Sequence, residues 1–349
     1  MCGISGFIGD SKDPELSYNL ISSLFEKIEV RGKDASGFWV SNKEGIIFHK
    51  EPIKSSLFVD NEYWKSVENF NPNIALCHAR EASSGVGLPA INKNNHPFVN
   101  YDKTLALIHN GRIPDIEYYH LLNHYEVNSD CDSEILLRVV ENTDDRLSGI
   151  KNIWSFAKMA HMAVAIGETT LEAQKLYLFR NSLRTICLID LRDILGQFYF
   201  CSTPEIWQDA IKRKKLKHLS QKRIKLIILP PEEVWCFELK DQIRVERYGV
   251  QVTGNKPPVS HPKINLKPPV ASPKAICGLD EEDEPLSSNN STDEARVLSK
   301  NIKTIKGIAN FFDSLDKKKV NSELNRELAI IGQKMEKLIT QPHHGPGYY

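Results

Sequence analysis

Cys2 stands between the initiator methionine and Gly3. Cysteine is small enough for Met1 to be trimmed. Trimming would leave one residue carrying both a thiol and a free α-amine. An α-amine has a pKa near ~7.7–8.0, so at neutral pH it can serve as a base toward its own thiol. Nucleophile and base would then belong to the same amino acid. Gly3 removes side-chain bulk beside the sulfur. On its own the dipeptide is a weak signal, because a cysteine at position 2 is ordinarily just a small residue.

Further polar segments follow in order: Arg31-Gly32-Lys33-Asp34-Ala35-Ser36-Gly37, Cys77-His78-Ala79-Arg80-Glu81-Ala82-Ser83-Ser84-Gly85, Asn95-His96-Pro97-Phe98, His109-Asn110-Gly111 and Ser129-Asp130-Cys131-Asp132-Ser133-Glu134. Together with Cys2, this set resembles the motifs of the class II glutamine amidotransferases, a family with the N-terminal nucleophile hydrolase fold. The resemblance runs from Cys2 to about residue 205 and includes Leu176-Tyr177-Leu178-Phe179-Arg180-Asn181. It implies an α+β chain folded as a four-layer αββα sandwich. It also implies L-glutamine as substrate, glutamate and ammonia as products, and neither cofactor nor metal.

The roles that follow can be weighed residue by residue. Free glutamine is a zwitterion with an amide side chain. Its α-carboxylate suits the planar fork of Arg80, which could otherwise be a solvated charge at a strand end. Its α-ammonium needs a carboxylate, for which Asp132 is the candidate. Asp132 also lies where a helix begins, and aspartate is common there for capping alone. Ser83 keeps a hydroxyl where relatives often have threonine and is assigned to the substrate. Attack on the amide places negative charge on its oxygen, which calls for donors arranged in advance. The Asn110 side chain and the Gly111 N–H match the family's oxyanion hole. Asn-Gly is also a strong hairpin signal, but the residues after it lead into a helical pattern rather than a second strand. Arg31 and Gly32 are expected to support the terminal cysteine. Asp34 reads as a turn residue, and His78 and His96 as structural histidines.

Some positions depart from the family pattern. Lys33 replaces a frequent proline, and Ala79 and Glu81 flank Arg80 where threonine and an aromatic residue are common. The missing aromatic bears on how the substrate loop closes. Cys2, Arg80, Asn110, Gly111 and Asp132 are intact, which argues against a dead homologue.

These residues must be held by strands and helices. Apolar patterning predicts strands at Ile4–Ile8, Gly37–Val40, Ile46–His49, Ile74–His78 and Leu105–His109. Pro14 to Val30 has helical spacing behind an Asp13 cap. Helices are expected over Ile116–His124, Asp132–Glu141 and Glu205–Lys212. Later strands are expected at Ala163–Ile166, Leu176–Phe179, Thr185–Ile189, Phe198–Cys201, Ile224–Leu229, Val234–Glu238 and Ile243–Tyr248. This order is α+β rather than a regular βαβ array.

The expected organisation is a catalytic domain over 2–252, a proline-rich and acidic linker over 254–293, a helical hairpin over 294–341 and a frayed tail over 342–349. Two short helices cannot bury their apolar stripes alone. The hairpin is therefore read as an interaction module for a partner or for self-association, the alternative being a hairpin docked back on its own catalytic domain. The 45 basic and 45 acidic residues balance, so charge favours neither nucleic acid nor any other partner. No stretch reaches the ~18 apolar residues of a membrane span, and no export signal is present. Seven cysteines without a C-x-x-C pair fit a reducing, cytoplasmic setting. No phosphate-binding loop or strand-rich domain follows the linker, so the ammonia-accepting synthase is expected to be a separate polypeptide or else absent. A hydrolase of γ-glutamyl or related small amides, and a regulatory scaffold on the same fold, are the alternatives.

Overall fold

The computed structural model describes residues 2–82, 87–143, 145–156, 160–222 and 224–250. Ser83 falls outside these residues, as do the linker, the hairpin and the tail assigned from sequence.

The chain opens with strand β1 (Gly3–Ile8) and helix α1 (Pro14–Lys27), followed by a 3₁₀ turn over Ile28–Arg31. The Leu16 N–H donates to Asp13 Oδ1 at 3.0 Å, so the expected cap forms. Strands β2 (Ala35–Ser41) and β3 (Ile46–Glu51) come next, then helices α2 (Ser55–Phe58) and α3 (Glu62–Phe70), then β4 (Ile74–Arg80). A short β5 (Phe98–Val99) precedes β6 (Leu105–His109). Helices α4 (Asp115–Leu122), α5 (Glu134–Glu141) and α6 (Arg146–Phe156) follow as a group. Strands β7 (Ala163–Thr169), β8 (Gln174–Arg180) and β9 (Cys187–Leu191) lead to the short α7 (Arg192–Leu195). The described chain ends with β10 (Gln197–Cys201), α8 (Pro204–Ala210), β11 (Lys225–Ile228), β12 (Glu233–Leu239) and β13 (Ile243–Gly249).

The strands form two antiparallel sheets. The first has the order β11-β9-β10-β1-β4-β2-β3 and the second β13-β12-β8-β7-β6-β5. Side chains alternate between faces along each strand, and this alternation builds three apolar layers. Phe7, Phe38, Cys77 and Tyr199 pack outward against Leu20, Leu24 and Trp64 of the first helical layer. Ile4, Trp39, Leu76, Ile108, Leu178, Phe200 and Phe237 fill the space between the sheets. Leu107, Val164, Ile166 and Phe179 face Ile135, Leu136 and Val139 of the second helical layer. The result is the expected αββα sandwich.

The structure departs from the sequence reading at four helices. α2, α3, α6 and α7 were not expected: α2 and α7 are single turns, α3 offers few core positions, and the sequence reading leaves the stripe of Leu147, Ile150, Ile153 and Trp154 in α6 unassigned. α3 buries Trp64 and Val67 fully, with Tyr63 and Phe70 packed partly against the same core, and so short a stripe is a weak signal. The helix expected from Asp132 starts instead at Glu134, with Ser133 as its N-cap residue.

Candidate active site

Register brings the first group of residues together. Gly3 pairs with Ala79 in the β1–β4 ladder, and Ala35 pairs with Arg80 in the β2–β4 ladder. The start of β1, the start of β2 and the end of β4 therefore meet at one end of the first sheet. Cys2 lies there, 9% exposed, its thiol donating to the Glu81 carbonyl at 3.7 Å. Arg31 Nε donates to the Cys2 carbonyl at 2.9 Å. Gly3 and Gly32 permit this closeness. A Cβ on Gly3 would stand 2.5 Å from the Ile28 carbonyl oxygen, and one on Gly32 would stand 2.4 Å from the Arg80 carbonyl carbon.

Burial pushes the Cys2 thiol above its ordinary pKa, although the hydrogen bond at Glu81 and the charge of Arg80 act the other way. The resting group at neutral pH is thus a thiol, and attack requires a base.

Arg80 is 3% exposed. Its Nη1 donates to Asn95 Oδ1 at 2.9 Å and its Nη2 to the Gly87 carbonyl at 2.8 Å. Asn95 is itself held: its Nδ2 donates to the Pro89 carbonyl at 2.8 Å, and Lys50 Nζ donates to its carbonyl at 2.7 Å. The guanidinium is thereby locked in one orientation, the condition for bidentate recognition. Asp34 is more than a turn residue. It accepts the Ala82 N–H at 2.7 Å, and its own N–H donates to the Arg80 carbonyl at 2.9 Å. This double clamp ties the Arg31–Asp34 loop to the chain leaving β4.

The second group comes from the facing sheet. His78 Nε2 donates to the His109 carbonyl at 3.1 Å, setting the end of β6 over the end of β4. Asn110 follows immediately. It exchanges backbone hydrogen bonds with Ala163, at 2.9 and 3.1 Å, and is 1% exposed. Neither Oδ1 nor Nδ2 of its side chain has a hydrogen-bond partner. Leaving such a group buried costs about 1–3 kcal/mol. Gly111 admits no side chain, since a Cβ would come 1.7 Å from the His161 carbonyl oxygen and 2.3 Å from His109 Nε2. Gly111→Ala should therefore displace Asn110 and lower both Tm and any turnover. A variant with unchanged melting and unchanged kinetics would contradict this.

Asp132 is 8% exposed and is not a helix cap. Its Oδ2 accepts the Ile113 N–H at 2.8 Å, and its Oδ1 lies 3.2 Å from Ser133 Oγ and 3.8 Å from Cys131 Sγ. Its charge acts on both Cys2 and His109. The turn before α5 is held by Glu134, which accepts the Asn128 and Ser129 N–H groups at 3.0 and 2.7 Å.

His78 and His96 stack with ring centres 3.9 Å apart. Burial keeps both neutral, His78 down to about 3 and His96 well below the usual histidine range. Among the described residues no cluster of three or more His, Cys, Asp or Glu is placed to hold a metal ion, and no helix is long and apolar enough to cross a membrane.

Cys2, Arg31, Gly32, Arg80, Asn110, Gly111 and Asp132 are thus held around one end of the sandwich. Sequence reasoning missed the brace on Arg80 from Asn95, although Asn95 lies inside a motif already singled out. It also missed Asp34 as a clamp and the His109–Ser133 contact.

No family model matches the chain. Curated relatives do. Glutamine–fructose-6-phosphate aminotransferase (isomerizing) of Bacillus anthracis is 31% identical over 173 residues, covering 48% of this chain and 26% of the relative. The enzyme of the same name from Oceanobacillus iheyensis is 28% identical over 187 residues, 52% of this chain and 29% of the relative. The chain therefore matches little more than a quarter of these relatives' length. Among solved structures, one described as the allosteric regulatory enzyme of purine biosynthesis superposes with TM-score 0.51 at 19% identity, covering 72% of this chain and 50% of the other. Glutamine phosphoribosylpyrophosphate amidotransferase from B. subtilis, complexed with ADP and GMP, gives 0.50 at 19% with the same coverage. These two share the fold. Motif order, the αββα architecture and the sequence similarity agree, and the chain carries a class II glutamine amidotransferase domain with the N-terminal nucleophile hydrolase fold.

Proposed function

We propose that this domain hydrolyses the side-chain amide of L-glutamine with the Cys2 thiol, after Met1 is removed, and that the ammonia passes to an acceptor synthase in a reducing, cytoplasmic setting. The observation that carries this reading is the buried, unpartnered side-chain amide of Asn110. A protein tolerates such a group where its partner arises only during reaction.

In this reading the Cys2 α-amine takes the thiol proton as sulfur attacks the amide carbon. The carbonyl electrons move onto oxygen, which Asn110 Nδ2 and the Gly111 N–H stabilise. The ammonium then returns its proton to the amide nitrogen, the C–N bond breaks and ammonia leaves behind a thioester. Water, deprotonated by the same amine, attacks the thioester, and glutamate is released. Arg80 takes the substrate α-carboxylate and Asp132 the α-ammonium. Ser83 is assigned to the substrate and Arg31 and Gly32 to holding Cys2.

The direct test is ammonia release from free L-glutamine by the trimmed chain. Arg80→Ala and Asp132→Asn should each raise KM steeply, since an unpaired charge in a buried pair costs about 2–5 kcal/mol, roughly thirtyfold or more. Asparagine is chosen at 132 because it still accepts the Ile113 N–H. Activity on γ-glutamyl amides, with KM for glutamine indifferent to Arg80, would favour the small-amide hydrolase instead.

A further inference from the structure

His109, at the strand end before Asn110, is linked to the turn that carries Asp132 through hydrogen positions that can be deduced. Its Nε2 faces the His161 carbonyl oxygen at 3.0 Å. A carbonyl only accepts, so Nε2 must carry the hydrogen. Its Nδ1 lies 2.9 Å from Ser133 Oγ, and the same Oγ lies 3.2 Å from Asp132 Oδ1. Ser133 has a single hydroxyl proton and two neighbours that could take it.

With His109 neutral, Nδ1 is an acceptor, and the Ser133 proton belongs to the shorter contact. Asp132 Oδ1 then holds only the weak contact from Cys131 Sγ at 3.8 Å and can accept from an ammonium. With His109 protonated, Nδ1 becomes a donor to Ser133 Oγ. The hydroxyl proton must turn to Asp132 Oδ1 and occupy the oxygen that a substrate ammonium would use.

We propose that His109 and Ser133 are positioning residues that hold the Asp132 carboxylate open for the substrate's α-ammonium. This rests on the assignment of Asp132 to that ammonium. The charged and titratable groups facing the imidazole are Asp132 from the turn before α5, Arg184 from the β8–β9 loop, His78 from β4 and His96 from the segment before β5. Burial holds His109 below the usual histidine range, with Asp132 opposing and Arg184 reinforcing the shift. The open state therefore prevails at neutral pH and is lost as pH falls through a value under 6.5.

The experiment uses the full chain, trimmed of Met1 and carrying Cys2→Ala, so that glutamine binds without turnover. Its dissociation constant should rise about tenfold per pH unit on the acid side, as one linked proton requires. Adding Ser133→Ala should reduce that rise to about twofold over the same range, because the hydroxyl that blocks Asp132 is gone, and Ser133→Thr should restore it. An undiminished acid rise in Ser133→Ala would overturn the proposal and indicate simple charge repulsion. Histidine ¹⁵N spectra of the chain without any Ser133 change give a second readout. The Nε2–H tautomer of His109 at pH 7.5 is expected, and the Nδ1–H tautomer would overturn the proposal. Absence of glutamine binding at pH 7.5 would count against the substrate assignment, while the tautomer would still decide the His109–Ser133 arrangement.

Discussion

Cys2→Ala should abolish ammonia release from glutamine, lowering kcat by roughly ten-thousandfold or more, as removal of a nucleophile does. The fold should survive, because the change deletes one sulfur at the edge of β1 and adds no volume. Retention of Met1 should be nearly as damaging. It converts the α-amine into an amide that cannot accept a proton, while burial keeps the thiol from ionising by itself. The same reasoning gives the direction of the pH dependence. The base is the neutral amine, so kcat/KM should fall as pH drops below about 7.7–8.0. Steady-state assays on trimmed chain, untrimmed chain and Cys2→Ala, with circular dichroism on each, check all three statements. Full activity in a chain with a blocked N-terminus would refute the mechanism.

Asn110→Ala should lower kcat by roughly a hundred- to a thousandfold with a small change in KM. The asymmetry follows from timing. The ground-state amide oxygen gains little from Asn110, while the tetrahedral oxyanion gains a full charge-assisted hydrogen bond. Stability should move the other way. The wild-type amide is buried without partners, so its removal relieves a desolvation cost of about 1–3 kcal/mol, set against the cavity it leaves. A thermal melt at or above that of the parent, joined to a collapse in kcat, is the expected pair. A matching loss of stability and activity would show that Asn110 is structural.

The αββα architecture was legible in the sequence where signals are local. Asp13 before Pro14 marks the start of α1, and the apolar runs Ile4–Ile8 and Leu105–His109 mark β1 and β6. The short polar helices α2 and α3 were not legible, because their burial depends on α1 and on the first sheet. The site divides in the same way. Cys2, Arg80, Asn110, Gly111 and Asp132 were singled out by residue type and motif order. Asp34 and His109 were passed over because their partners, Ala82 and Ser133, are set by folding rather than by sequence spacing. The ambiguity at Asp132 was real. Only the placement of the Ile113 N–H against its carboxylate, 19 residues away, shows that it is not a cap.

The two groups around the candidate site hang from different sheets. The thiol and Arg80 belong to the first sheet, while Asn110, Gly111 and Asp132 belong to the second or to the helices behind it. The side chains filling the space between, Trp39, Phe200 and Phe237 among them, therefore act as a spacer between the jaws of a caliper. In the proposed mechanism their thickness sets the gap in which sulfur and oxyanion donors close on one carbon atom. Under the proposed mechanism, alignment is thus a property of the hydrocarbon packed between the sheets. Drift in that spacer would leave each jaw well formed and still able to hold its own end of the substrate, yet out of gauge for the reaction.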